Sequence, residues 1–164
     1  GERGVAGINR KVEFYLAGRG FECKPDSWYA GRPVLISRND YSLGLYNGDI
    51  GICIADPIDN TLKVWFEQKG GGFKCYLPYR LPKCETAFAM TIHKSQGSEF
   101  EEVLVVLPGE DNRVLCRELL YTAVTRARER VRIAAEQKVL EFGLSRQIQR
   151  YSGLAEQLQS GRRN

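Results

Sequence analysis

Thr91, His93, Lys94, Ser95, Gln96, Ser98 and Glu99 crowd hydroxyl, imidazole, ammonium, amide and carboxylate groups into one short stretch around a single glycine, Gly97. The apolar run Ala87 to Thr91 leads into them without a turn and reads as a buried strand. Open α/β sheets bind their ligands at strand ends. His93 is the one histidine of the chain, and Gly97 gives the backbone room to approach an anion or a sugar. An ordinary polar turn would have the same composition. A second candidate is Arg126, beside the apolar stripe Leu119, Leu120, Ala123, Val124 and Ala127. Its planar, permanently charged fork among small residues suits a phosphate at close range, or else it closes a helix end through the helix dipole.

Three kinds of segment must position these groups. Residues 8 to 18 place Ile8, Val12, Tyr15 and Leu16 at helical spacing, with Asn9 as a start cap and Gly18 or Gly20 as the stop. From Trp28 to Leu81 short β-rich runs alternate with turns. Pro33–Ser37, Ile50–Ile54, Leu62–Phe66 and Phe73–Leu77 read as strands, punctuated by Asn47-Gly48, Pro57-Ile58-Asp59-Asn60 and Gly70-Gly71-Gly72. So many short strands in so few residues predict a small twisted barrel. After Pro82 the expected elements lengthen into a parallel α/β layer: strands Ala87–Thr91, Val103–Leu107 and Val131–Ala135, and helices Arg117–Arg128 and Gln137–Leu144. Ser145 to Asn164 reads as a helix fraying into a tail.

Composition excludes several classes. At 164 residues, 43% hydrophobic and 27% charged, the chain can bury a core and is no disordered tail. No apolar stretch approaches the roughly 20 residues that span a bilayer, so no membrane partner is expected and the location is cytoplasmic. Cys23, Cys53, Cys75, Cys84 and Cys116 show no C-x-x-C pair, so they read as reduced thiols, and no metal site is expected. The formal charge is +4, but residues 117 to 164 carry +5 of it, which favours a polyanionic partner for the basic end. Gly1 to Gly7 opens without a methionine, as in a piece of a longer polypeptide.

In combination the two candidates resemble a known family. Thr91-Ile92-His93-Lys94-Ser95-Gln96-Gly97-Ser98-Glu99-Phe100 is similar to motif V of superfamily-1 helicases, and Leu120-Tyr121-Thr122-Ala123-Val124-Thr125-Arg126-Ala127 to their motif VI. The wording His-Lys-Ser-Gln-Gly-Ser-Glu-Phe behind a β-rich insertion is closer to the C-terminal part of the RecD-type helicases, exonuclease V alpha subunits that move 5′ to 3′. The resemblance covers essentially the whole chain.

That resemblance implies an α/β fold, a RecA-like (P-loop NTPase-type) second motor domain with an inserted SH3-like β-barrel. Residues 1–24 and 85–164 would form the motor domain and 25–84 the barrel. It makes Arg126 an arginine finger on the γ-phosphate of ATP, Gly97 a backbone contact to the phosphates and Glu99 a hydrogen bond to the ribose. Thr91, His93, Lys94, Ser95 and Gln96 would meet single-stranded DNA or couple it to the nucleotide. Such donors bind phosphate without reading sequence, as a translocating motor requires. Exposed aromatics of the barrel could stack on a displaced strand. Of Trp28, Tyr29, Tyr46, Trp65, Tyr76 and Tyr79 most are expected in the core, and Arg38 and Tyr41 are the expected strand contacts.

The 164 residues contain no G-x-x-x-x-G-K-[ST] phosphate loop. ATP and Mg²⁺ are therefore expected only in the full-length protein, held with an N-terminal motor domain of the same polypeptide, and none on this piece alone. Other exonuclease V subunits are further expected partners. A non-catalytic single-strand-binding or subunit-interaction module remains the alternative.

Overall fold

A computed structural model describes residues 4–68, 70–109, 112 and 114–147. They form two compact units, one up to Gly97 and one from Ser98. The helix expected over Ser145 to Asn164 falls, from residue 148 onward, outside the described residues.

The first unit opens with α1 (Val5–Gly18). Its N-cap is Gly4, not Asn9. Asn9 sits one turn inside the helix, 7% exposed, because its amide is used elsewhere. Five strands follow: β1 (Pro33–Ile36), β2 (Ile50–Ala55), β3 (Leu62–Glu67), β4 (Phe73–Tyr76) and β5 (Cys84–Thr86). All neighbours are antiparallel, in the order β4-β3-β2-β1-β5. A 3-10 turn at Pro78–Arg80 carries the chain from β4 round to β5, which pairs back onto β1 through Val34↔Thr86 and Leu35↔Glu85.

The core lies on one face of this sheet. Val34, Ile36, Leu45, Cys53, Val64 and Phe66 are buried together, and Trp28, Tyr76 and Cys84 pack against them. Alternation explains the selection: in β2 Cys53 is buried while Ile52 and Ile54 are exposed. The sequence pattern located β1 to β4 to within a residue or two, but not β5. The small barrel expected of them is instead an open sheet with β4 and β5 at its edges, and the described residues form no closed barrel. All five cysteines are free thiols; Cys53 is buried as expected, and Cys75 is half-buried.

Gly51 in β2 has no room for a side chain. A Cβ there would stand 2.7 Å from Phe66 Cε1 and 2.8 Å from the Trp65 carbonyl oxygen. The ring could rotate, but the backbone oxygen is held in the β2–β3 ladder. Gly51→Ala is expected to destabilise the protein by about 1–3 kcal/mol, read as a lower urea midpoint than wild type.

The second unit is a β-α-β-α run: β6 (Phe100–Val106), α2 (Arg117–Val124), β7 (Ala127–Ala134) and α3 (Gln137–Ser145). β6 and β7 pair in parallel from Phe100↔Ala127 to Val106↔Ala134, as a crossover through a helix permits. Leu120 and Ala123 are buried, while Val124, expected in the same stripe, is 41% exposed. α3 packs closely, with Gly143 against Leu115 and Leu120.

Three expected boundaries are corrected. Ala87 to Thr91 forms no strand: the chain leaves β5 at Thr86 and runs irregularly to a turn over residues 92–97. Only Ala87 still reaches a neighbouring strand, its N–H donating to the Pro33 carbonyl of β1 at 3.0 Å, while Ala89 pairs with the Asn9 side chain. The helix expected to reach Arg128 stops at Val124, and the strand expected from Val131 starts at Ala127. Pairing with β6 draws those residues into extended backbone, beginning where Phe100 N–H donates to the Arg126 carbonyl at 2.8 Å. No helix among the described residues is long and apolar enough to cross a membrane.

Candidate functional site

In the unit from Ser98 the site is built around Arg126. It occupies the tight turn between α2 and β7, its own N–H donating to the Ala123 carbonyl at 3.3 Å. Its guanidinium is clamped from three sides. Nε donates to the Thr122 carbonyl at 3.2 Å, Nη1 to the Ser98 carbonyl at 3.2 Å, and Nη2 to Thr125 Oγ1 at 3.3 Å. Thr125 Oγ1 in turn donates to the Thr122 carbonyl. A guanidinium has five N–H donors, so two of Arg126's remain for an anion on a half-exposed side chain whose direction is fixed.

Ser98 ties this turn to the start of β6. Next to it Glu99 is exposed, and its Oε2 accepts from Arg128 Nε at 2.9 Å. Both side chains are more than half exposed, so the pair contributes at most about 1 kcal/mol and can exchange for a ligand hydroxyl. A second exposed pair, Arg130 with Glu102, lies further along the same two strands.

In the unit up to Gly97 the remaining candidates share one turn. Lys94 N–H donates to the Thr91 carbonyl at 3.0 Å and to its Oγ1 at 3.3 Å, and Gln96 N–H donates to the His93 carbonyl. Ser95 is 7% exposed, with its hydroxyl donating to the Ile92 carbonyl at 2.8 Å, so it braces the turn from inside. Thr91, His93 and Gln96 face solvent. Gly97 closes the turn at φ +88, a conformation that side chains with a Cβ rarely adopt, and the space where a Cβ would project is open. Lys94 Nζ is ion-paired with Glu85 Oε1 of β5.

This turn borders a groove of about 340 Å³ lined by Asn9, Arg10, Glu85, Thr86, Thr91 and Lys94. Behind it the Tyr29 phenol donates to the buried Glu13 carboxylate at 2.7 Å. Burial first, and then that hydrogen bond, push the phenol well above its ordinary value. The expected strand contacts Arg38 and Tyr41 are exposed, Tyr41 edge-on to Tyr46 with ring centroids 6.0 Å apart. Tyr79 is exposed too, whereas Tyr29 is buried and Trp28, Trp65 and Tyr76 are half-buried.

Sequence reasoning missed three supporting residues. Asn9 holds the segment ahead of the turn: Nδ2 donates to the Thr86 and Ala89 carbonyls at 2.9 and 3.1 Å, and Oδ1 accepts from Ala89 N–H at 2.7 Å. Glu85 holds Lys94, and Arg128 holds Glu99. The Asn9 partners lie 77 to 80 residues away in sequence, and no local pattern carries that signal.

Residues 86–134, from the last residue of β5 to the end of β7, match the family model of the UvrD-like helicase C-terminal domain. The Pif1 helicase from Bacteroides, crystallised with ADP-AlF3 and single-stranded DNA, has a similar mixed helix and sheet fold. The TM-score is 0.52 at 20% identity, over 94% of this chain and 43% of that one. The chain thus carries a helicase C-terminal domain of the UvrD-like class. Over 95% of its length it is 45% identical to the RecBCD enzyme subunit RecD of Mycolicibacterium smegmatis, and over 95% it is 42% identical to that of Haemophilus influenzae. It belongs to the RecD family, as its C-terminal region. The chain spans 28% and 23% of the lengths of those two relatives.

Proposed function

We propose that this chain forms the second motor region of an ATP-dependent, 5′-to-3′ DNA helicase acting in the cytoplasm in recombination and double-strand break repair. The observation that carries the reading is Arg126: a guanidinium fixed by Thr122, Ser98 and Thr125, with two donors left over, inside the segment that matches the helicase family. In the intact protein Arg126 meets the γ-phosphate of Mg·ATP, which is held by an N-terminal motor domain of the same polypeptide. A prepositioned cation acts on charge that develops in the transition state and needs no reorganisation at that moment. Glu99 exchanges Arg128 for the ribose, and the backbone at Gly97 approaches the phosphates.

Thr91, His93, Lys94 and Gln96 form the track for the single-stranded DNA backbone, with Ser95 as its internal brace. The five-stranded sheet is read as an SH3-like insertion. The order β4-β3-β2-β1-β5 and the 3-10 turn before the last strand support that reading. By itself the chain is proposed to turn over no ATP, and other subunits of a RecBCD-type complex are proposed partners. The test is unwinding by the full-length protein of duplexes carrying either a 5′ or a 3′ single-stranded tail. ATP-dependent unwinding from the 5′ tail alone is expected, and unwinding from the 3′ tail alone overturns the assignment.

A further inference from the structure

Lys94 is the most suitable phosphate ligand in its turn, yet its ammonium is already engaged by the Glu85 carboxylate. Glu85 comes from a different element: it lies on β5, at the edge of the antiparallel sheet, where its backbone is paired with Leu35 of β1. Its backbone is therefore fixed, while Lys94 sits on a turn. The two side chains are 36% and 40% exposed, open enough for a solute to compete. They share the 340 Å³ groove with Arg10 and the Thr91 hydroxyl, a second cation and a neutral donor. Two further carboxylates line the groove: Glu13 is buried and committed to Tyr29, while Asp26 is exposed and adds to the negative charge that a phosphate must tolerate.

We infer that the groove seats one backbone phosphate of single-stranded DNA, and that Glu85 is an internal competitor for Lys94 that keeps this grip weak. The inference rests on the reading of Lys94 as a DNA contact. A phosphate entering between Arg10 and Lys94 must displace the ammonium from Glu85 and tolerate a carboxylate beside it. Both effects lower affinity. A motor that steps along a strand needs contacts that let go, and an ion pair supplied by the edge strand makes one of them easy to release.

The experiment measures binding of a labelled oligothymidylate to the full-length protein at several salt concentrations. Glu85→Gln is expected to tighten binding about two- to fivefold, the scale of an exposed ion pair. The slope of log affinity on log salt should steepen by about 0.7, one more phosphate neutralised on a single strand. In a Lys94→Ala background the same substitution should change nothing, and Glu67→Gln on β3 should be silent in both. Glu85→Ala serves as a second variant should Glu85→Gln melt early. Equal tightening with and without Lys94 overturns the competition and leaves only a general charge effect. No tightening, with Lys94→Ala weakening binding, overturns the role of Glu85 and preserves that of Lys94. If Lys94→Ala itself binds normally, the DNA-track reading fails and this inference fails with it.

Discussion

Arg126→Ala in the full-length protein should lower DNA-stimulated ATP turnover by a factor on the order of 10³ or more, the scale of arginine fingers elsewhere. Single-strand affinity should stay within about twofold, because none of Arg126's hydrogen-bond partners is a residue assigned to the DNA track. Arg126→Lys separates charge from geometry. It keeps a cation but loses the fork that reaches Thr122, Ser98 and Thr125 together, so it should still cost about 10²-fold or more in turnover, the scale of one misplaced donor. Steady-state phosphate release with saturating oligonucleotide measures both variants. Near-normal turnover in Arg126→Ala would remove the arginine-finger role.

The largest structural effect is expected from Asn9→Ala. The substitution strips partners from two carbonyls and one N–H in the segment that feeds the Thr91 turn. Leaving such groups unpaired costs about 1–3 kcal/mol each when water is fully excluded. Asn9 also lines the groove, so water can replace part of the loss, and a net destabilisation of about 2 kcal/mol follows. With a typical urea dependence of about 1–3 kcal/mol per molar, the midpoint falls by about 1 M. Asn9→Asp should be at least as damaging, since its carboxylate would face the Thr86 and Ala89 carbonyls that the amide N–H groups now satisfy. A midpoint unchanged in both variants would show that the segment is held by other means.

The contrast between Asn9 and Arg126 marks what the sequence can reveal. Arg126, Gly97 and the polar turn could be named as candidates because the groups concerned lie in consecutive residues. The strands from Pro33 to Tyr76 were legible because turn residues bracket alternating runs. Ala87 to Thr91 misled for a physical reason: a short apolar run has no period of its own, and beyond Ala87 this one leaves the β1 ladder, with Ala89 held instead by a helix side chain remote in sequence. The early end of α2 was invisible for a related reason. Residues 125 to 128 continue a helical pattern, but the chain turns at 125 and 126, and pairing with β6 makes Ala127 and Arg128 extended. Asn9 read as a cap because Asn so often caps, and nothing near it in sequence shows that it is buried.

The Arg126 turn and the start of β6 are stitched twice, by Arg126 Nη1 to the Ser98 carbonyl and by Phe100 N–H to the Arg126 carbonyl. The two bonds run in opposite senses and flank Glu99, so the Arg126 turn is held to the chain on both sides of that residue. A push on the guanidinium is therefore passed to the backbone on both sides of Glu99, the residue that holds Arg128, within the unit from Ser98.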